Sequence, residues 1–266
     1  MTVAGNMRSL YYQSFTLVTQ DWTTQEWVYF GNTTTISLCV FGVVAGLLQR
    51  WTHRYKLIQT IGLCIKIIGI GIALKGHGAT TATGAIVMSQ IMIGWGGAFS
   101  VVGSRVASQA SVTHQDMATV IALLSLWSKI GSAIGSAAAS ATWSHWMKKN
   151  LKLYVPGITD AEVNKYFLSI RTIKTLPFDS PVRQGAIVAY RETLYYLLVP
   201  AVALSFIPLI ASLFQTNYYL GKQQNAVMNV GPDGKQLKDE RIPERLADKP
   251  ATTFKEKLLR FWAGGA

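Results

Sequence analysis

The sequence predicts an all-α fold, a polytopic membrane helix bundle, and three observations lead there. The run from Ala85 to Val102 holds no charged residue, and its roughly 18 positions at ~1.5 Å each cover most of a ~30 Å hydrocarbon layer. The run from Met117 to Trp143 is longer and holds one charge, Lys129. The whole chain of 266 residues is 50% hydrophobic but only 14% charged, against about 25% in soluble domains.

Both runs carry small residues at helical spacing, Gly94 and Ala98 in one, Gly131, Gly135 and Ala139 in the other. No hydrophobic force pulls helices together in lipid, so such stripes serve close backbone approach and dispersion contact. The formal net charge of +12 lies in links and tail. It therefore reads as membrane-surface and topology charge, and no nucleic-acid partner is expected. Cys39 and Cys64 fall inside apolar runs, where a thiol acts as a small hydrophobe. Met1 to Leu10 lacks the apolar core of a signal peptide.

Taken in order, residues 1–217 form the transmembrane bundle and 218–266 a polar tail. Residues 7–20 are compatible with a helix too short and too polar to span, so they read as a truncated first helix. A polar link with Asp21 and Glu26 follows, flanked by Trp22, Trp27 and Tyr29, which suit an interfacial aromatic belt. The first full span is expected at about 28–48, with the pair Gly42 and Gly46 turned toward a neighbouring helix. A basic link with Arg50, Arg54 and Lys56 leads to a span at 57–74, interrupted by Lys66. Spans at 84–105 and 117–143 form a hairpin.

Residues 144–192 read as a long loop with internal structure. Thr159 and Glu162 have capping-box spacing, Val163, Tyr166, Phe167 and Ile170 make one apolar face, and Ser180-Pro181 suits a helix start. The last span, 193–216, contains Pro200 and Pro208. In the tail, Thr253 and Glu256 repeat the capping-box spacing. Phe254, Leu258, Phe261 and Trp262 line one face of a helix at 253–262, with Lys255, Lys257 and Arg260 around it. That pattern suits an interfacial helix on anionic membrane lipid.

Positive residues of the short links set the orientation: Arg50, Arg54, Lys56 and Arg105 mark one side, against Lys75 with Asp21 and Glu26 on the other. The tail is then cytoplasmic and the 144–192 loop outside. Lys148, Lys149 and Lys152 oppose this assignment, but long loops translocate largely regardless of charge.

Several strings are similar to the fungal siderophore-iron transporters of the major facilitator superfamily. They are Gln20-Asp21-Trp22 with Tyr29, Phe30, Asn32 and Thr33, then Thr52 to Lys56, Gln109 to Asp116, Ile130 to Ala137, and Trp143. Thr113 stands where that family's pattern has proline. The resemblance covers roughly residues 8–220 and implies a larger whole, of which this chain looks like the C-terminal part, half of a major facilitator fold. It implies secondary active uptake of a ferric siderophore, of hydroxamate type, coupled to protons, in the plasma membrane or an endosomal or vacuolar membrane. A missing N-terminal half, or a full-length relative, is the implied protein partner, because alternating access needs two bundles around one site. Two other readings stand beside it: a membrane fragment that only associates with a full-length relative, and a same-family exchanger of small peptides such as glutathione.

An ionisable group in hydrocarbon costs about 2.5–3.5 kcal/mol on insertion scales, so it faces a cavity or a partner. Lys66 and Lys129 are accordingly the first candidates for a substrate pathway. Asn32, Thr33, Gln90 and Trp95 add hydrogen-bonding groups and a flat apolar surface, or else pair helices together. Asp21 and Glu26 are candidate proton relays, and Tyr166 and Phe167 candidate lid residues of the outer loop. The four histidines lie apart, without ligand or catalytic spacing. No enzyme activity, cofactor or metal site is therefore expected.

Overall fold

The computed structural model describes residues 1–75, 80–112, 115–216 and 220. The tail helix expected at 253–262, like His77, Thr113 and His114, lies outside the described residues. In chain order the helices are α1 (Thr2–Ser9), α2 (Tyr12–Thr19), α3 (Thr24–Thr52), α4 (Lys56–Ala73), α5 (Thr83–Ala110), α6 (Met117–Tyr154), α7 (Asp160–Leu168), α8 (Ile170–Lys174) and α9 (Pro181–Phe214). Five of them, α3, α4, α5, α6 and α9, are long and apolar enough to cross a membrane. No strand occurs among the described residues. The fold is a membrane helix bundle whose contacts sort into two units. One comprises Met1–Ser37, Ile65–Gly94 and Ser128–Pro208; the other comprises Leu38–Cys64, Trp95–Trp127 and Leu209–Ala266.

The first unit holds the larger core. Phe15, Val18, Ile70, Ile86, Met147, Leu151, Leu194, Leu197 and Leu198 are each fully buried there. The segment expected as one helix over 7–20 is two helices, broken at Leu10 and Tyr11, and the first already begins at Thr2. The break lets adjacent tyrosines serve different neighbours. Tyr11 stacks flat on Trp143 with centroids 4.2 Å apart, while Tyr12 packs against Phe15 and Phe30. The start at Thr2 follows from Val3, Ala4 and Met7, which pack with Ala138 and Ala201. Gly131 and Gly135 of α6 face this helix, and a β-carbon at Gly135 would fall 2.6 Å from the Val3 carbonyl oxygen.

The connection expected over 144–192 is shorter, because α6 continues to Tyr154 and α9 begins at Pro181. In α6, Trp143, Met147, Asn150 and Leu151 keep a buried face at helical spacing, and the Asn150 side-chain amide donates to Thr193 Oγ1 at 2.9 Å. In α9, Ala186, Ala189, Tyr190, Thr193 and Leu197 do the same. Ser180 Oγ accepts from the Arg183 backbone N–H at 3.2 Å, giving the helix its N-terminal cap. The charges that make 181–192 look like loop have local uses: Arg183 is buried, donates to the Leu176 carbonyl at 3.0 Å and reaches Asp21 at 3.5 Å. What remains between α6 and α9 turns at Gly157, whose φ of +69° suits a residue without a side chain, and then carries α7 and α8.

The second unit has a small core of Ala45, Ile58, Ala98 and Phe99, flanked by Phe41, Leu48, Trp95 and Val102. A β-carbon at Gly103 would lie 2.7 Å from Gln59 Cβ, so α4 and α5 pack closely there. The α3–α4 turn places His53 at φ +52°, and its carbonyl accepts from the Leu220 N–H at 2.9 Å. Gly42 and Gly46 depart from expectation: nothing lies within 4 Å of a β-carbon at either one. The α3 residues around them, Leu38, Val40, Val43 and Leu47, are exposed large hydrophobics. The face is therefore open rather than packed on a neighbouring helix.

Candidate functional site

A cationic polar centre is buried within the first unit. The last turn of α1 carries Arg8, only 6% exposed. Its Nη1 donates to Gln90 Oε1 on α5 at 3.1 Å, and Thr34 Oγ1 on α3 donates to the same oxygen at 2.5 Å. The guanidinium also lies over the Tyr12 ring, 5.5 Å from its centroid. Lys66 on α4 is 8% exposed and near enough for the Arg8 charge to act on it. The Tyr12 and Ser89 hydroxyls are buried beside each other and near Gln90, too loosely set for well-formed hydrogen bonds.

The first unit thus buries Arg8 and Lys66, two cations of which neither has an acid partner among the described residues. Among the described residues, the ion pairs join Lys152 to Asp160, Arg183 to Asp21 and Arg191 to Glu192. None involves Arg8 or Lys66. A guanidinium carries five N–H donors in a planar fork, suited to carboxylate or other oxygen-rich anions. The Tyr12 and Ser89 hydroxyls, near each other and near Gln90, are further polar groups at this centre. Chemically, the centre can bind an anionic group and offset the cost that two buried cations impose.

Of the residues singled out from sequence, Gln90 holds Arg8 here and Lys66 is buried in the same unit. Asn32 and Thr33 do not: each hydrogen-bonds its own helix, to the carbonyls of Val28 and Tyr29. Trp95 belongs to the second unit, stacked on Phe41 with centroids 4.7 Å apart and edge-on to Phe99, its indole nitrogen buried and unpartnered. Lys129 is exposed on α6. Asp21 faces Arg183, and Glu26 is occupied in a capping box, accepting from the Thr23 N–H and hydroxyl at 2.8 and 2.9 Å. Tyr166 and Phe167 are partly buried against the first unit's core, with Lys148 Nζ 4.9 Å from the Phe167 ring. Among the described residues no group of His, Cys, Asp and Glu could hold a metal ion.

Sequence reading missed Arg8, Tyr12, Thr34 and Ser89. The available clue was Arg8 itself, a lone cation three residues from the apolar and aromatic run of α2. It was obscured because the short first helix reads as a polar end rather than as a part of the core.

No family model matches the chain. No solved structure matches it either. It is 49% identical over 226 residues, 85% of its length, to a low affinity heme transporter of Schizosaccharomyces pombe. It is 40% identical over 253 residues, 94% of its length, to a siderophore transporter of Zymoseptoria tritici, and 40% identical over 264 residues, 98% of its length, to one of Mycosarcoma maydis. The matched stretch is 36 to 39% of the length of these relatives. With five membrane-length apolar helices and identity of this extent, the chain belongs to the fungal siderophore-iron transporters of the major facilitator superfamily.

Proposed function

We propose that this chain forms part of the path of a secondary transporter that takes up an anionic, oxygen-rich iron chelate, with Arg8 and Lys66 as its cationic contacts. The observation that carries this reading is the pair of buried cations on α1 and α4 without an acid partner among the described residues. A charge left unpaired in low dielectric is costly and is retained where a ligand supplies the counter-charge. The relatives' names give two chelate classes that fit: a ferric siderophore, of hydroxamate type in this reading, and heme, whose porphyrin bears carboxylates. Gln90 positions the guanidinium, and the Tyr12 and Ser89 hydroxyls donate to the chelate's oxygens. Uptake is coupled to protons. Among the described residues no acid pairs with Arg8 or Lys66, and in this reading the coupling group belongs to sequence that the relatives have beyond the matched third. In the same reading the tail is cytoplasmic, Thr253 to Trp262 lies on the membrane surface, and the α7–α8 connection stands outside.

The test is uptake of labelled iron, as a ferric hydroxamate and as hemin, in a fungal strain stripped of its own carriers. The strain expresses either this chain or a chimera in which it replaces the matching stretch of the Schizosaccharomyces pombe relative. The chimera should transport, and Arg8→Gln with Lys66→Gln should lower uptake about tenfold or more, as expected for lost charged hydrogen bonds. Absence of uptake by both the chain and the chimera supports the non-transporting alternative. Export of glutathione in exchange, without iron uptake, supports the peptide exchanger.

A further inference from the structure

The C-terminal turns of α6 present Lys148, Lys149 and Lys152 around an open recess of about 450 Å³, completed by Asp160, Val163 and Asn164 of α7. Two of the ammonium groups are steered by aromatic rings. Lys149 Nζ lies 5.0 Å from the centre of Trp146, itself stacked on Tyr196 with centroids 4.3 Å apart. Lys148 Nζ lies 4.9 Å from the centre of Phe167. Lys152 is paired with Asp160 at 2.5 Å, both well exposed. Among the described residues Lys148 and Lys149 have no acid partner. The recess thus holds a net positive charge on a rim built from two helices.

We propose that this recess binds the phosphate headgroup of an anionic phospholipid. Its level along α6 supports that occupant. The apolar run ends at Trp143, and Lys148 and Lys149 follow within ~9 Å of helix rise, about the depth of the headgroup layer beyond the hydrocarbon. Trp146, on α6 just before these lysines, stacks on Tyr196 of α9, as side chains with an apolar body and a polar edge do at a membrane interface. Leu153 and Leu168, next in sequence to Lys152 and Phe167, are 68% and 81% exposed, apolar surface suited to acyl chain rather than water. A free phosphate gains only from the lysines, which water screens. A lipid phosphate arrives already concentrated at that depth and gains from both surfaces. The same role accounts for three lysines standing on the side that the short-link charges mark as outside.

The test uses the 266-residue chain in a neutral detergent, with bound lipid resolved by native mass spectrometry during titration with phosphatidylglycerol, phosphatidylcholine or inorganic phosphate. One phosphatidylglycerol should bind preferentially. The Lys148→Gln/Lys149→Gln/Lys152→Gln variant should weaken it about tenfold or more, since each basic residue near anionic lipid counts for a large part of that factor. The matching triple arginine variant should retain binding, which separates lost charge from lost fold. Asp160→Asn should tighten binding severalfold by releasing Lys152. The tail variant Lys255→Gln/Lys257→Gln/Arg260→Gln should keep the preferential site. Equal binding of phosphatidylcholine, full displacement by inorganic phosphate, or an undiminished phosphatidylglycerol affinity in the glutamine variant would overturn the proposal.

Discussion

Gly135 of α6 meets the backbone of Val3 on α1, with the Val3 carbonyl oxygen 2.6 Å from where a β-carbon would stand. Neighbouring Gly131 faces Thr2 Oγ1 in the same way. A carbonyl in a helix has nowhere to go, so any side chain at Gly135 must separate the two helices. Gly135→Leu should therefore cost about 1–3 kcal/mol, as overpacking does, and lower the thermal midpoint of the detergent-solubilised protein. Gly42→Leu with Gly46→Leu should leave it unchanged, since nothing occupies that space. Equal midpoints for the two sets would show that the α1–α6 approach is not tight.

Stability and function should move in opposite directions at Lys66. Its ammonium is buried and has no acid partner among the described residues, so a neutral side chain of similar length removes an electrostatic cost without leaving a void. Lys66→Met should raise the thermal midpoint of the ligand-free protein by about 3 °C for each ~1 kcal/mol gained. It should also abolish the stabilisation that an anionic iron chelate gives the parent. Lowering of the midpoint by this substitution would mean that Lys66 has a structural partner.

The Arg8 fork makes the reverse case. Gln90→Leu removes the acceptor of both Arg8 Nη1 and Thr34 Oγ1, leaving buried donors unsatisfied at about 1–3 kcal/mol. The midpoint should fall, and a second change, Thr34→Val, should add little once Gln90 is gone, because the two share one oxygen. Fully additive losses from the two changes would deny that sharing.

Much of the architecture is legible in the sequence because hydrophobic length is a strong signal: α3, α5 and α6 each contain an expected span, and α4 covers the one expected at 57–74 except its last residue. The capping box at Thr159 and the helix start at Pro181 are legible too, since those residue types satisfy orphan backbone groups locally. What escapes is tertiary. The first turns of α9 read as loop because Arg183, Arg191 and Glu192 interrupt the apolar pattern, and only packing shows that Ala186, Ala189 and Tyr190 bury the opposite face. The candidate site escapes in part for the same reason. Lys66 stands out inside a span, but that the other buried cation of its unit without an acid partner is Arg8, and not Lys129, depends on how α1 folds back, and no local pattern encodes that.

A pH effect should appear in α7. Glu162 accepts from the Thr159 backbone N–H and hydroxyl at 2.9 and 2.8 Å, and these bonds hold its carboxyl below the usual carboxylate range. A depressed folded-state value means that the contribution is complete above the unfolded value of about 4.3 and is lost as pH falls through the folded value. Hydrogen exchange, corrected for intrinsic rates, should therefore show α7 losing protection as the pH falls below about 4.3, while the turns of α9 around Leu194 keep theirs. Glu162→Gln, which leaves no carboxyl to titrate, should remove that dependence, whereas Thr159→Ala should only weaken it, because the backbone N–H of residue 159 still donates. A pH-independent α7 would place its stability in packing alone.

The connection between α6 and α9 is pinned at one end and looser at the other, which suits a moving cover. Ile173 is fully buried, and Lys174 Nζ donates to the Trp22 carbonyl at 2.7 Å, so α8 is fastened to the core. In α7 only Val163 is buried. Tyr166 and Phe167 rest part-exposed on the same core, and residues with fewer buried contacts open at lower free-energy cost. If α7 lifts to admit a chelate, weakening its two aromatic contacts should favour the open form and change uptake rate more than stability. Tyr166→Ser with Phe167→Ser, made in the transporting chimera and checked for surface expression, should raise exchange of α7 amides and alter ferric chelate affinity and rate severalfold. Ile173→Ala should instead destabilise the fold, by about 2–5 kcal/mol as core truncations do. Unchanged affinity and rate in the serine variant would make α7 a fixed connector.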